Sequence, residues 1–299
     1  MLHWIGLRIC RGAKFENTMN SGWNIAQLQA VPFYSALAST LEQWIWPQTW
    51  PTLVDYQSLL DRLPRPVLTA SGMPLRVIEQ SQEKPQDWRQ GYEPRIYLQG
   101  ALQTRLENWH DCFNLLTWAT FPRAKAALNA RQYALLKARA DAPTGASMAP
   151  RQPNQDALTQ FDESGVIVLS ADPRLSKLLL DFQWKPLFWE QRSAVQAHMR
   201  CWLFGHGLME RALQPYRGLT GKGVILPVPE ELFEQPLVAQ VAQVDQLLAQ
   251  CLSDTQRFLR PDAWAPVPLL GFPGFTSDNA CAEYYGDQHT FRSGRKLKP

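Results

Sequence analysis

Charge and cysteine are both scarce in this chain. Only 19% of its 299 residues are charged, and 30 basic against 27 acidic residues leave a net charge of +3. That balance gives little support to nucleic acid, or to an anionic membrane surface, as a partner. The one locally basic stretch, Arg292 with Arg295, Lys296 and Lys298, reads as a solvated terminal tail. The five cysteines, Cys10, Cys112, Cys201, Cys251 and Cys281, lie far apart and form no CxxC pair. This argues against a disulfide framework and a cysteine-built zinc site, and fits a reducing, cytoplasmic setting. No run approaches the roughly 20 apolar residues that span a bilayer, so no membrane partner is expected. Arg8, Arg11 and Lys14 are followed by no apolar segment of the secretory kind. There is no internal repeat, no GxSxG and no HExxH, so serine-hydrolase and zincin motifs have no support.

What the chain does have is core material. Hydrophobic residues make up 45% and aromatics 11%, with 12 tryptophans. Trp44, Trp46 and Trp50 lie close together beside two prolines and read as core rather than a partner site. Amphipathic spacing predicts helices over residues 34–46, 53–63, 237–252 and, as one long helix, 190–214. Residues 75–79, 95–99, 165–170 and 223–228 read as strands. A helix is expected from Trp109 to Thr120, and another begins at Pro122, where the missing N–H costs nothing. Asp172 is a plausible N-cap for a helix running to about Leu180. The fold class is therefore α+β, mainly helical with one small sheet, and with a candidate ββα-like hairpin-helix element around residues 95–121. The expected organisation is an N-terminal extension over residues 1–20, with Met19 an alternative start, then a main domain over 21–290 and a basic tail over 291–299. The Pro-rich segment 141–155 is a linker or mobile loop that can separate two subdomains.

The most informative text runs from Asn108 through Trp109, His110, Asp111, Cys112 and Phe113 to Asn114. Apolar residues surround this helix on nearly every side, so it should be buried. His110 and Asn114, four residues apart, share a face and need partners there. Two readings compete. In one, Asn108 caps the helix, Asp111 returns to the cap as in a capping box, and His110 is a satisfied core histidine. In the other, His110, Asp111 and Asn114 are catalytic, with Arg123, Lys125 and Asn129 nearby as substrate-binding groups. Asp162 and Glu163 precede a strand and read as a polar turn or as substrate-binding carboxylates at a strand edge. Lys222, in Thr220-Gly221-Lys222-Gly223, is a phosphate-binding candidate, although the order of loop then strand is the reverse of a P-loop. His198, Cys201, His206 and Glu210 fall within a few turns of the expected long helix. His206 and Glu210, four apart, are candidate ligands for a metal held on that helix. Gly205 and Gly207 flank His206 and point to close packing against a neighbour.

The run ENWHDCFNLLTWATFPRAKAALNAR from Glu107 resembles the hallmark of a proteobacterial family known as domain of unknown function 3025. DALTQFDESGVIVLSADP from Asp156, FGHGLMERALQPYRGLTGKGVILPV from Phe204 and PLLGFPG from Pro268 extend the resemblance over most of the chain. It implies no activity. Gln132 departs from it, at a place where a histidine is expected. The words NLLTWAT from Asn114 are also similar to the helical end of HNH nuclease modules, which would make His110 a base or metal ligand. The module's strand-end histidine is missing, because Gly100-Ala101 stands in its place. The expectation is thus a polar pocket around His110, Asp111 and Asn114, serving a metal-dependent hydrolase with a degenerate HNH-like element and a divalent cofactor. The alternative is a non-catalytic binding or scaffolding protein.

Overall fold

The computed structural model describes residues 22–25, 28, 31–142 and 152–294. The expectations for residues 1–20, for most of the 141–155 segment and for 295–299 lie outside the described residues. The helices are α1 (Ala38–Glu42), α2 (Leu53–Arg62), α3 (Tyr92–Gln99), α4 (Trp109–Thr120), α5 (Pro122–Ala140), α6 (Pro153–Ser164), α7 (Pro173–Leu180), α8 (Arg192–His198), α9 (His206–Ala212) and α10 (Leu237–Ser253). The strands are β1 (Arg76–Glu79), β2 (Ala101–Thr104), β3 (Gly165–Ser170), β4 (Met199–Leu203), β5 (Thr220–Pro227) and β6 (Ala265–Pro268). The fold is mixed α+β and mainly helical, as the sequence leads one to expect. No helix among the described residues is long and apolar enough to cross a membrane.

The expected single sheet is two. β1 and β2 form a separate parallel pair. The larger sheet runs β4-β3-β5-β6, with β3 parallel to β5 and antiparallel to β4. Strand β3, GVIVLS, is buried along its whole length, as befits a central strand covered on both faces. Its residues alternate between two cores. Val166 and Val168 join Cys112, Phe113 and Leu116 of α4 on one face. Ile167 and Leu169 join Trp202, Phe204 and Val224 on the other, with Leu128 of α5 and Val244 and Leu248 of α10. Helices α5 and α10 cap each other. Asp245 of α10 accepts the Arg123 and Ala124 N–H groups at the start of α5 (3.1 and 2.8 Å). Arg131 of α5 donates to the Leu252 carbonyl in the last turn of α10 and to the Thr255 and Arg257 carbonyls in the segment just after it. Each side chain meets the orphan backbone groups that a helix end leaves.

Two expected elements are corrected. Residues 95–99 are not a strand but the end of α3, so the segment around 95–121 is no ββα hairpin. β1 and β2 are parallel, and parallel neighbours need a crossover, here α3. The local cause is punctuation by glycine. Gly91 begins the helix and Gly100 ends it at φ 66, donating to the Ile96 carbonyl. A Cβ on Gly100 would lie 2.0 Å from the Pro74 carbonyl oxygen. The expected 190–214 helix is also broken. Met199–Leu203 leaves it to pair with β3, Cys201 opposite Val168 and Trp202 opposite Ile167. Burying that apolar run against the central strand outweighs its helical spacing.

Five of the tryptophans form one cluster at the start of α4. Trp23 stacks on Trp109 at 5.1 Å, and Trp44, Trp46 and Trp50 surround it. The cluster anchors the residue immediately before His110, so the α4 N-terminus enters the site from a fixed base.

Candidate metal centre

Three separate elements deliver three side chains to one point. His110 is the second residue of α4, Glu163 the penultimate residue of α6, and His206 the first residue of α9. Donor atoms of all three lie within 4.8 Å of one another. Nε2 of His110 is 3.3 Å from Glu163 Oε2, and Nε2 of His206 is 3.5 Å from Glu163 Oε1. The two imidazoles meet edge to face at 4.3 Å between centroids. His206 is almost fully enclosed, whereas Glu163 is 43% exposed.

The convergence depends on a close crossing of backbones. The N–H groups of Phe204 and Gly205 both donate to the Gly165 carbonyl, at 3.0 and 2.9 Å. This seats the start of α9 on the last turn of α6. A Cβ on Gly205 would lie 2.3 Å from the Gly165 nitrogen and 2.4 Å from that of Ser164. A Cβ on Gly207 would lie 2.4 Å from Glu163 Oε2. The two glycines flanking His206 therefore mark a close approach, as their spacing suggests.

Electrostatics tie the three groups to their surroundings. The hydrogen bond to Asp111, then that to Glu163, raises His110 from its ordinary value to about 9. Its imidazolium sits between Asp111 Oδ1 on Nδ1, at 3.3 Å, and Glu163 on Nε2. Bonds from His110 and then His206 hold the Glu163 carboxyl well below the usual carboxylate range. Burial pushes Asp111 up, but Arg105 and His110 outweigh it and hold the group far down.

Asp111 does not complete a capping box. Asn108 does cap α4, accepting the Asp111 N–H at 3.0 Å. The Asp111 carboxylate turns instead to Arg105, accepting its backbone N–H (2.7 Å), Nε (3.0 Å) and Nη2 (2.8 Å). Arg105 had no signal in the sequence beyond lying six residues before an aspartate.

The three side chains open into a cleft of about 830 Å³, walled by residues 80–95, by Gln132 and Leu136 of α5, and by Gln155, Thr159, Asp162 and Glu163 of α6. Asn114 lines it but is fully engaged, donating to the Tyr92 hydroxyl (2.5 Å) and accepting from Lys125 Nζ (2.9 Å). Lys125 is buried and also donates to Asp162 Oδ1 at 2.5 Å. Asn129 donates to the carbonyl and carboxylate of Glu93. Gln132 donates to Glu93 and accepts from Thr159, so it braces the cleft wall.

The remaining candidates lie elsewhere. Arg123 is exposed and lines a separate groove with Val238 and Asp245. Lys222 is not in a loop but in β5, opposite Gly165 and Pro266, away from the cleft lining. Glu210 is exposed on α9 and is not one of the three converging groups, although its charge helps raise His110. His198 pairs with Glu230, and Cys201 is buried within β4. Asp162 and Glu163 belong to the last turn of α6, neither a loop nor a strand edge. Among the predicted groups, then, His110, Asp111, Asn114, Lys125, Asp162, Glu163 and His206 assemble in one place, and Arg123, Lys222 and Glu210 do not join them.

A family model described as protein of unknown function (DUF3025) matches residues 75–295. No curated protein and no solved structure matches the chain.

Proposed function

The chain belongs to the DUF3025 family, and we propose that it is a divalent-metal enzyme, a hydrolase, whose ion is held by His110, Glu163 and His206. The observation that carries this reading is the convergence of two imidazoles and one carboxylate from three elements within 4.8 Å. Ligand distances of about 2.1 Å in a tetrahedral site put donors roughly 3.4 Å apart, and each histidine Nε2 lies that far from one oxygen of Glu163, 3.3 Å from Oε2 for His110 and 3.5 Å from Oε1 for His206. Two imidazoles with one carboxylate suit zinc, iron(II) or manganese(II) better than magnesium or calcium, which prefer all-oxygen shells. Three protein ligands would leave a coordination position for water or substrate, and all three side chains line the cleft.

Such an ion supplies Lewis acidity, polarising a bound carbonyl and easing the ionisation of water. The chain's own groups do the rest. Glu163 offsets the ion's charge, and Asp111, braced by Arg105, fixes the ring of His110. The His110 proton is what an incoming cation displaces, since the imidazole must be neutral to bind. The HNH form of the reading lacks support because the segment is strand, helix and parallel strand, with Arg123 on a separate groove and Lys125 buried against Asp162. We place the protein in the cytoplasm, a reading favoured by four free cysteines among the described residues.

A non-catalytic reading keeps one observation of its own: the His110–Glu163–His206 group is already ion-paired. The test separates them. Chelated protein is titrated with zinc, cobalt(II) and manganese(II), and hydrolysis of p-nitrophenyl esters and aminoacyl p-nitroanilides is then followed. About one ion per chain is expected, lost in His110→Ala, His206→Ala and Glu163→Gln. Failure of the wild-type protein to bind an ion stoichiometrically sinks the metal reading. Binding without hydrolysis favours the non-catalytic one.

A further inference from the structure

His206 carries an unresolved demand. Its side chain is 6% exposed, and its Nδ1 is buried without a hydrogen-bond partner. Each buried nitrogen of this kind costs free energy unless it is paired. The acceptor facing it is Asp162 Oδ2, at 4.0 Å. The other oxygen of Asp162, Oδ1, accepts from Lys125 Nζ.

The other histidine shows the finished form of the same arrangement. His110 presents Nε2 to Glu163 and Nδ1 to Asp111 at 3.3 Å. Both imidazoles thus point Nε2 at one shared glutamate and Nδ1 at an aspartate of their own. The aspartates come from different helices, Asp111 from α4 and Asp162 from α6.

We propose that Asp162 is the positioning carboxylate of His206, the counterpart of Asp111 for His110. This inference rests on the metal reading above. A cation taking the Nε2 lone pair obliges Nδ1 to keep its proton, and that N–H then needs an acceptor. Closing from 4.0 Å to a normal length of about 2.9 Å is a shift of roughly 1 Å, within reach of a side-chain rotation in the last turn of α6. Lys125 stays partnered throughout, because Asn114 Oδ1 also accepts from it at 2.9 Å. Asp162 is therefore the outer support of the metal centre on the His206 side. It sets the tautomer of His206 and aims its Nε2 at the ion.

The test uses the full chain in three readouts. In zinc-loaded wild-type protein, long-range ¹⁵N-histidine spectra should show His206 metallated through Nε2 with a slowly exchanging Nδ1–H. Competition against a chromophoric chelator should show zinc affinity falling about 10- to 100-fold in Asp162→Asn. The cobalt(II) visible bands should shift in that variant. Lys125→Met should keep zinc affinity within about threefold of wild type, since Asp162 remains free to turn. If either single variant fails to fold, the neutral pair Lys125→Met/Asp162→Asn carries the comparison and should bind as weakly as expected for Asp162→Asn. The proposal is overturned if His206 is metallated through Nδ1. It is also overturned if Asp162→Asn, or the double variant in its place, matches wild type in affinity and spectrum, or if Lys125→Met loses affinity as Asp162→Asn does. A wild-type protein that binds no ion defeats the metal reading itself, which distinguishes that failure from these.

Discussion

Gly207→Ala should separate the metal centre from the fold. A Cβ at this position would lie 2.4 Å from Glu163 Oε2 and 3.1 Å from the Glu163 carbonyl oxygen. Ordinary contact needs about 3.4 Å, so the carboxylate must retreat by roughly 1 Å. It can do so cheaply, because the Glu163 side chain is 43% exposed and can swing toward solvent. The retreat breaks its 3.3 Å approach to His110 and removes one of three ligands. Losing a supporting group alone typically costs 10- to 100-fold in metal affinity, and a displaced ligand should cost at least ~100-fold. At an ion concentration ~100 times the wild-type Kd, binding stabilises wild type by ~2.7 kcal/mol and the variant by only ~0.4 kcal/mol. For a chain of this size that is a metal-induced rise in Tm of roughly 5 °C against about 1 °C. Without metal the two should melt within a degree or two of each other, since alanine favours the helix by at most about 1 kcal/mol over glycine. Differential scanning fluorimetry with and without zinc or cobalt(II) reads both quantities. Gly205→Ala is the contrast: its Cβ meets backbone nitrogens at 2.3 and 2.4 Å, so the apo fold itself should lose several kcal/mol. An undiminished metal-induced shift in Gly207→Ala would refute the assignment of Glu163 as a ligand.

Other parts of the structure make sharp demands too. Metal affinity should rise about tenfold per pH unit between roughly pH 6.5 and 8.5, because His110, held at about 9, must give up its proton; isothermal titration in buffers of different ionisation enthalpy should detect about one proton released, and a pH-independent affinity would contradict this. Asp245 is pushed up to about 6 by burial despite its two backbone donors. Its folded value lies above its unfolded one, so the stability it contributes is full below about pH 4 and lost as pH rises through 6, a change on the order of 2–3 kcal/mol. In urea melts, wild type should therefore lose ground to Asp245→Asn by about that amount between pH 4 and 7.5, and a constant difference would argue against it. Arg131→Met strips donors from three carbonyls in and just after the last turn of α10 and should cost about 3 kcal/mol in chemical denaturation; a loss under ~1 kcal/mol would mean that water replaces the guanidinium.

Legibility in the sequence followed the range of the interactions involved. The caps and bounds of α4 are local, and Asn108 and Thr120 delimit it in the structure as the periodicity suggests. Strands β3 and β5 were equally legible, because an unbroken apolar run such as GVIVLS suits only a buried strand or a short core helix. Residues 95–99 misled because Ile96, Tyr97 and Leu98 favour strands, whereas Gly91 and Gly100, which delimit the helix, act through backbone geometry rather than side-chain preference. The 190–214 helix misled for the opposite reason. Its spacing is helical, and only the presence of β3 as a partner, some thirty residues earlier, makes a strand of Met199–Leu203 the better burial.

The site shows the same limit in sharper form. His110 and His206 each stand out as polar groups in apolar text, yet helical spacing pairs each with a neighbour in sequence, Asn114 for one and Glu210 for the other. Helical spacing can propose only partners three or four residues away, and the glutamate that unites the two histidines is reached through tertiary contact. One trace of that contact was visible all the same. A histidine between two glycines at the start of a helix is costly in backbone entropy, and the cost is justified only where another chain segment must come close. The structure shows what came close: at Gly205 the backbone of residues 163–165, and at Gly207 the Glu163 carboxylate itself. The glycines thus specify that His206 meets a neighbour at van der Waals range, and the end of α6 supplies that neighbour as Glu163. A cluster assembled this way needs no motif, because its spacing is written in the crossing of β3, α6 and α9 rather than along any one of them.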